Sequence, residues 1–154
     1  MLHHANESLM STDDPHDLNR FVVAQLDDYG VALAELRAGA KRSHWMWYVF
    51  PQFDGLGYSA TAHQYAIKSL DEARAYLAHP VLGKRIIDCC RAVLAVKDRS
   101  ARQIFSTPDD LKLRSSMTLF AQVSEPDSVF HRVLARYFEG VPDPKTLALL
   151  AART

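Results

Sequence analysis

A chain of 154 residues, 48% hydrophobic and 23% charged, has the size and composition of one globular domain, long enough to bury about two thirds of its unfolded surface. That composition excludes a disordered chain. Eighteen Lys plus Arg balance eighteen Asp plus Glu, so no net charge draws the molecule to a nucleic-acid polymer or an anionic membrane.

No apolar run approaches the roughly 18 residues of a spanning helix, and the N-terminus lacks the basic flank and apolar stretch of a signal peptide. A cytoplasmic protein is expected. Met1 to Met10 carry no clear periodicity, and Met10 reads as a second start, so residues 1–13 are set aside as tail or upstream sequence. His3 and His4 in that tail make no metal site. The domain is expected to span 14–154.

From Asp17 the chain reads as helix, with Leu18, Phe21, Val22 and Leu26 at three- and four-residue spacings. A second helix is expected over 27–38, stopped by Gly39. The segment from His44 to Phe50 is the densest aromatic stretch and ends at Pro51; residues 47–53 fit an extended strand as an alternative. The glycines at 55 and 57 mark a turn.

Ser69-Leu70-Asp71-Glu72 has the form of a capping box, predicting a helix from Leu70 toward Ala78. The pattern over 80–97 predicts a long helix at the centre of the core. It carries Cys89 and Cys90, whose side chains point about 100° apart and so are expected to be reduced core residues. Without a Cys-x-x-Cys, neither a zinc ribbon nor a thioredoxin-like motif is supported. Ser100 to Gln103 forms a second capping box. Thr107 is expected to cap a helix to about Val123 with Pro108 at its first position. Asp127 is expected to cap a helix closed by Gly140, and Asp143-Pro144 to open the last one. The expectation is an all-α, compact, single-domain bundle of about six to eight helices.

Two segments carry candidate chemistry. On a helical wheel Lys112 and Ser116 fall within or beside the apolar arc of Leu113, Met117 and Phe120. A lysine there must snorkel, meet a carboxylate or line a polar cavity. Lys112 with Ser115 or Ser116 can bind an anionic or oxygen-rich ligand; a Ser nucleophile with Lys112 as its base is a sharper version. The structural alternative is an ion pair to Asp109, three residues away. In the other segment His44 and Tyr48 share a side, Trp45 and Trp47 can stack on a ring, and Gln52 can read donors and acceptors. Core packing is the alternative there, with His44 bonded to backbone.

Candidate catalytic residues are therefore Lys112, Ser116 and His44. The candidate ligand-binding set is His44, Trp45, Trp47, Tyr48, Gln52, Lys112, Ser115 and Ser116. His63, Tyr58 and Tyr65 can form a lid or an ordinary surface loop. No ligand spacing supports a metal, and no Walker loop, dinucleotide fingerprint or nucleophile elbow supports a cofactor.

Four motifs in order carry a resemblance: Lys41-Arg42-Ser43-His44-Trp45-Met46-Trp47-Tyr48-Val49-Phe50-Pro51-Gln52, then Gly55-Leu56-Gly57-Tyr58-Ser59, then Tyr76-Leu77-Ala78-His79-Pro80-Val81-Leu82-Gly83, then Asp110 to Phe120. With these the chain resembles a bacterial family, domain of unknown function 1810, whose members are sometimes labelled calpastatin. The resemblance implies an all-helical fold and no established activity, and assigns no catalytic residue. Where the family pattern commonly has a glycine before Asp-Leu-Lys, this chain has Ser106-Thr107, a departure that weakens the expectation of a tight turn. Core-forming composition argues against an inhibitor that folds only on its partner.

The functional expectation is a small-ligand protein, with a pocket between residues 44–52 and the helix of Lys112 to Thr118. Its ligand is expected to be anionic, nucleotide-like or phosphorylated. A protein-interaction module and a hydrolase with a Ser/Lys pair are the alternatives.

Overall fold

The computed structural model describes residues 14–153; the expected tail, with His3 and His4, lies outside them. Among the described residues there are ten helices and no strand, an all-α fold with more helices than the six to eight expected. The surplus is in pieces too short to leave a periodic signature in sequence.

The Asp14 carboxylate accepts from the Leu18 and Asn19 backbone N–H groups at 2.7 and 2.9 Å and starts α1, Asn19–Gln25. Helix α2, Tyr29–Arg37, runs to Gly39, whose φ of +74° turns the chain out of the helix. The aromatic segment forms a single turn, α3, Met46–Val49. The alternative reading of an extended 47–53 fails over 47–49, which are helical, and only Phe53, past Pro51, enters a bridge. Ile67 N–H donates to Gln52 O and Asp54 N–H to Ile67 O, both at 2.9 Å, making an isolated parallel bridge between Phe53 and Ile67. Helix α4, Ala60–Gln64, is capped by Ser59 and lies in the stretch read from sequence as lid or loop.

In α5, Leu70–Ala78, Ser69 caps as expected, but Glu72 does not close the box. Its carboxylate instead accepts from Lys68 N–H at 2.9 Å and pairs with Arg20 at 2.7 Å, tying α5 to α1. Helix α6, Leu82–Ala95, begins against α5 so closely that a Cβ on Gly83 would sit 2.1 Å from the Leu77 carbonyl oxygen. Its cysteines are core residues, with Cys90 Sγ 3.6 Å from Met117 Sδ. Burial pushes the Cys89 thiol up to about 12 and that of Cys90 well above its ordinary value.

The capping box of Ser100 and Gln103 on α7, Ala101–Phe105, is complete. Two other caps differ from expectation. The Thr107–Pro108 peptide is cis, Pro108 itself occupies the cap of α8, Asp109–Ala121, and the Thr107 hydroxyl donates to the Asp110 carboxylate at 2.9 Å. Ser128, not Asp127, caps α9, Val129–Phe138, because Asp127 has a left-handed φ of +65° and its neighbour takes the extended conformation a cap needs. Asp143 caps α10, Pro144–Ala152, accepting from Lys145 and Thr146 N–H groups.

Helix α8, rather than α6, is the most enclosed. Nine of its 13 residues are buried, and it packs against α5, α7, α9 and α10. Ser115, Ser116, Thr118 and Ala121 allow this because small side chains let several neighbours approach, and Thr118 returns its hydroxyl to the carbonyl of Arg114. Helix α6 packs with α2, α5 and α9 around the same core.

Candidate functional site

The first turn of α8 meets the loop after α2 through a three-member charge cluster. The Asp109 carboxylate takes Lys41 Nζ on Oδ2 at 2.8 Å and Lys112 Nζ on Oδ1 at 3.1 Å. Two ammonium groups on one carboxylate leave a single net positive charge. Burial pulls the Asp109 carboxyl upward, but hydrogen bonds and charge from Lys41 and Lys112 prevail and hold it below the usual carboxylate range.

Both lysines sit on tryptophans: Lys41 Nζ is 4.8 Å from the Trp45 ring centre and Lys112 Nζ 4.3 Å from that of Trp47, within cation–π range. The two are not equivalent. The Lys41 side chain is 6% exposed and also donates to Ser43 O at 2.5 Å, whereas that of Lys112 is 23% exposed. The sequence requirement on Lys112 is thus met by a carboxylate and an aromatic face together.

Glu35, at the end of α2, shapes this loop. Its carboxylate accepts from Arg42 N–H at 2.8 Å, Ser43 N–H at 3.0 Å, the Ser43 hydroxyl at 2.6 Å and Trp45 Nε1 at 2.9 Å. Burial acts to raise its pKa, but these donors lower it from 4.5 to about 2. Trp45, so bonded and 1% exposed, floors the Lys41 pair; Trp47 is only half-buried.

Trp47 is also a wall of a small cavity shared with Gln52, Phe53, Gly57, Ala62 and Tyr65. Its volume of about 10 Å³ is that of one oxygen-sized group. Gly57 is required there: a Cβ on it would lie 2.5 Å from Ala62 Cβ and 3.0 Å from the Trp47 ring. Gln52 is 6% exposed, and its Nε2 is buried without a hydrogen-bond partner.

The remaining predicted residues are elsewhere. His44 is exposed; the Tyr48 hydroxyl donates to Asp28 in a short hydrogen bond and lies 3.1 Å from the His44 carbonyl oxygen. The Ser115 hydroxyl donates to Asp143 at 2.8 Å. Ser116 is fully buried, with a hydroxyl that has no partner. Among the described residues no hydrogen bond joins Lys112 to Ser115 or Ser116, or His44 to Lys112. The structure therefore brings Lys112 and Trp47 together, adds Gln52 on the cavity side of Trp47, and leaves His44 and both serines apart from Lys112.

Sequence reasoning missed Lys41 and Glu35 as parts of the site. Lys41 opens the aromatic motif and could have been found there; nothing local marks Glu35, whose donors come from the loop beyond Gly39. Among the described residues no group of three His, Cys, Asp or Glu could hold a metal, and no helix is long and apolar enough to cross a membrane.

A buried central helix, and a cluster of two lysines and one aspartate on two tryptophans, define a small all-helical protein. The chain belongs to the family described as "Protein of unknown function (DUF1810)", which matches residues 15–150. It is similar to the conserved hypothetical protein Rv1873 from Mycobacterium tuberculosis, a crystal structure with 54% sequence identity and a TM-score of 0.88 that covers 90% of this chain and 99% of that one. No curated protein matches the chain.

Proposed function

We propose that this chain is a cytoplasmic binding protein for a small anionic ligand, nucleotide-like or phosphorylated, held between residues 44–52 and the first turns of α8. The observation that supports the reading is the Lys41–Asp109–Lys112 cluster, with one net positive charge beside the half-exposed Trp47 ring. An anionic group would exchange part of Asp109's hold on Lys112, the more exposed of the two ammoniums, and an attached ring would find the indole of Trp47 beside it. Asp109 then keeps Lys41 neutralised in the buried position. This is a binding role; the geometry carries no Ser/Lys hydrolytic pair, because Ser115 is engaged with Asp143 and Ser116 makes no bond to Lys112.

A protein-interaction module is the second reading, and the pairing of Lys112 with Asp109 favours it, since that ion pair is complete without a ligand. Thermal shift of the full chain and of Lys112→Met against nucleotides and phosphorylated metabolites separates the two, because a compound that binds only the folded state raises its melting temperature. Stabilisation of the wild type but not of a folded Lys112→Met chain is the expected result. No response to any anion, with Lys112→Met as stable as wild type, turns the assignment to the interaction module.

A further inference from the structure

We infer that Gln52 is the specificity-determining donor of this site, reading one oxygen acceptor that the ligand inserts into the cavity behind Trp47; the inference rests on the anionic-ligand reading above and narrows its ligand class. An amide N–H₂ group seldom remains buried without an acceptor, because burial removes its water and returns nothing. Gln52 Nε2 is in that position, on a residue 6% exposed and in the wall of the cavity.

The donor is also held in place. The Gln52 carbonyl accepts from Ile67 N–H at 2.9 Å, Asp54 N–H returns a bond to Ile67 O at 2.9 Å, and the Phe53–Ile67 bridge between them leaves the backbone little freedom. A buried, unpartnered donor carried on a held backbone in a cavity wall is the arrangement that discriminates by one hydrogen bond.

Size limits what enters. A volume of about 10 Å³ admits a carbonyl oxygen but not a ring. The walls at Phe53, Trp47 and Tyr65 are aromatic, and the one charged residue of the lining, Asp54, is already paired with Arg153 at 3.2 Å. The ligand body stays outside, against the exposed part of Trp47, with its anionic group at Lys112. The class so defined is a planar ring bearing an exocyclic oxygen at one end and a phosphate or carboxylate at the other.

Two probes that differ at that oxygen test the assignment: inosine 5′-monophosphate, with a ring carbonyl, and adenosine 5′-monophosphate, with an amino group in its place. Inorganic phosphate is the third probe. On the full chain, the Gln52 side-chain amide and Trp47 indole resonances are followed by ¹H–¹⁵N spectroscopy, with Gln52→Met supplying the assignment and Gln52→Glu a second variant with the opposite hydrogen-bonding sense. The expected result is that the inosine nucleotide moves both resonances, binds about tenfold or more tightly than the adenosine nucleotide, and loses that advantage in both variants. If the inosine nucleotide moves Trp47 and leaves Gln52 still, with equal affinity in the folded variants, the inference is overturned and the anionic-ligand reading stands. If none of the three probes moves either resonance, both fall.

Discussion

The Ser115 hydroxyl on the central helix donates to the Asp143 carboxylate at 2.8 Å, so the residue that caps the last helix is also its anchor to α8. The same carboxylate accepts from the Thr146 hydroxyl at 2.6 Å, and the Asp143 N–H donates to Thr118 Oγ1 at 2.8 Å.

Replacing Asp143 by Ala removes a helix cap and leaves Ser115 without its acceptor on α10, an expected loss of about 2–3 kcal/mol in urea denaturation. Ser115→Ala, which keeps the cap, is expected to cost less, about 1 kcal/mol. Burial raises the Asp143 carboxyl, but its Thr146 and Ser115 donors prevail and lower it. A depressed folded value means that this contribution is fully present above the ordinary carboxylate range and is lost as pH falls through the folded value. Equal stability of Asp143→Ala and wild type at neutral pH counts against the anchor.

Glu35 makes a second acid-sensitive point, in the loop that carries Lys41. With its pKa lowered from 4.5 to about 2, its contribution holds above 4.5 and disappears between 4.5 and about 2 as the carboxylate is protonated in the folded protein. Glu35→Gln is expected to cost about 1–2 kcal/mol at neutral pH, a value discounted because the group is only partly buried. It should also flatten the acid side of the stability–pH curve relative to wild type. The Trp45 indole N–H resonance reports the same loop directly: an unchanged shift in Glu35→Gln contradicts the bond drawn to Glu35.

Ser106 sits at φ +64°, ψ 167°, a conformation close to glycine-only, and its side chain is exposed. The tight turn is therefore present although this chain lacks the glycine that the family resemblance would supply near this position. Ser106→Gly relieves about 1–3 kcal/mol of backbone strain and gives back about 0.5–1 kcal/mol through the freer unfolded chain. The net expectation is a gain near 1 kcal/mol, about 2–4 °C in Tm for a domain of this size. A calorimetric scan that shows a lower Tm rejects the strain assignment.

What could be read in sequence about the fold was local. Ser69, Ser100 and Asp143 cap where their spacing to the following helix says they should, because a cap bond closes over three residues and is written in them. Thr107 and Asp127 failed as caps for reasons spacing does not carry: the hydroxyl of the first is given to the Asp110 carboxylate and the second is left-handed. Helix α4 was invisible because five residues hold too little of a 3.6-residue period.

The candidate site was half legible. Lys112 on an apolar arc demanded a partner, and Asp109, one turn away on the same helix, was foreseeable. Lys41 could be picked out as the first residue of the aromatic motif, but not its pairing with Asp109, because the loop after α2 meets α8 only when the chain folds. Gln52 was legible as a polar residue among aromatics, but its unpartnered nitrogen was not.

By itself, then, the sequence determined that this is a helical single domain with a reduced, cysteine-containing core and two chemistry-bearing segments, since helical period, caps and apolar arcs relate residues within about four positions of one another. Only the tertiary structure decided that α8 is the enclosed helix, that two lysines share Asp109 over two tryptophans, and that the serines face α10 and the core rather than Lys112. Those outcomes depend on which side chains distant in the chain fill the same volume. Close packing resolves that, and no local spacing encodes it.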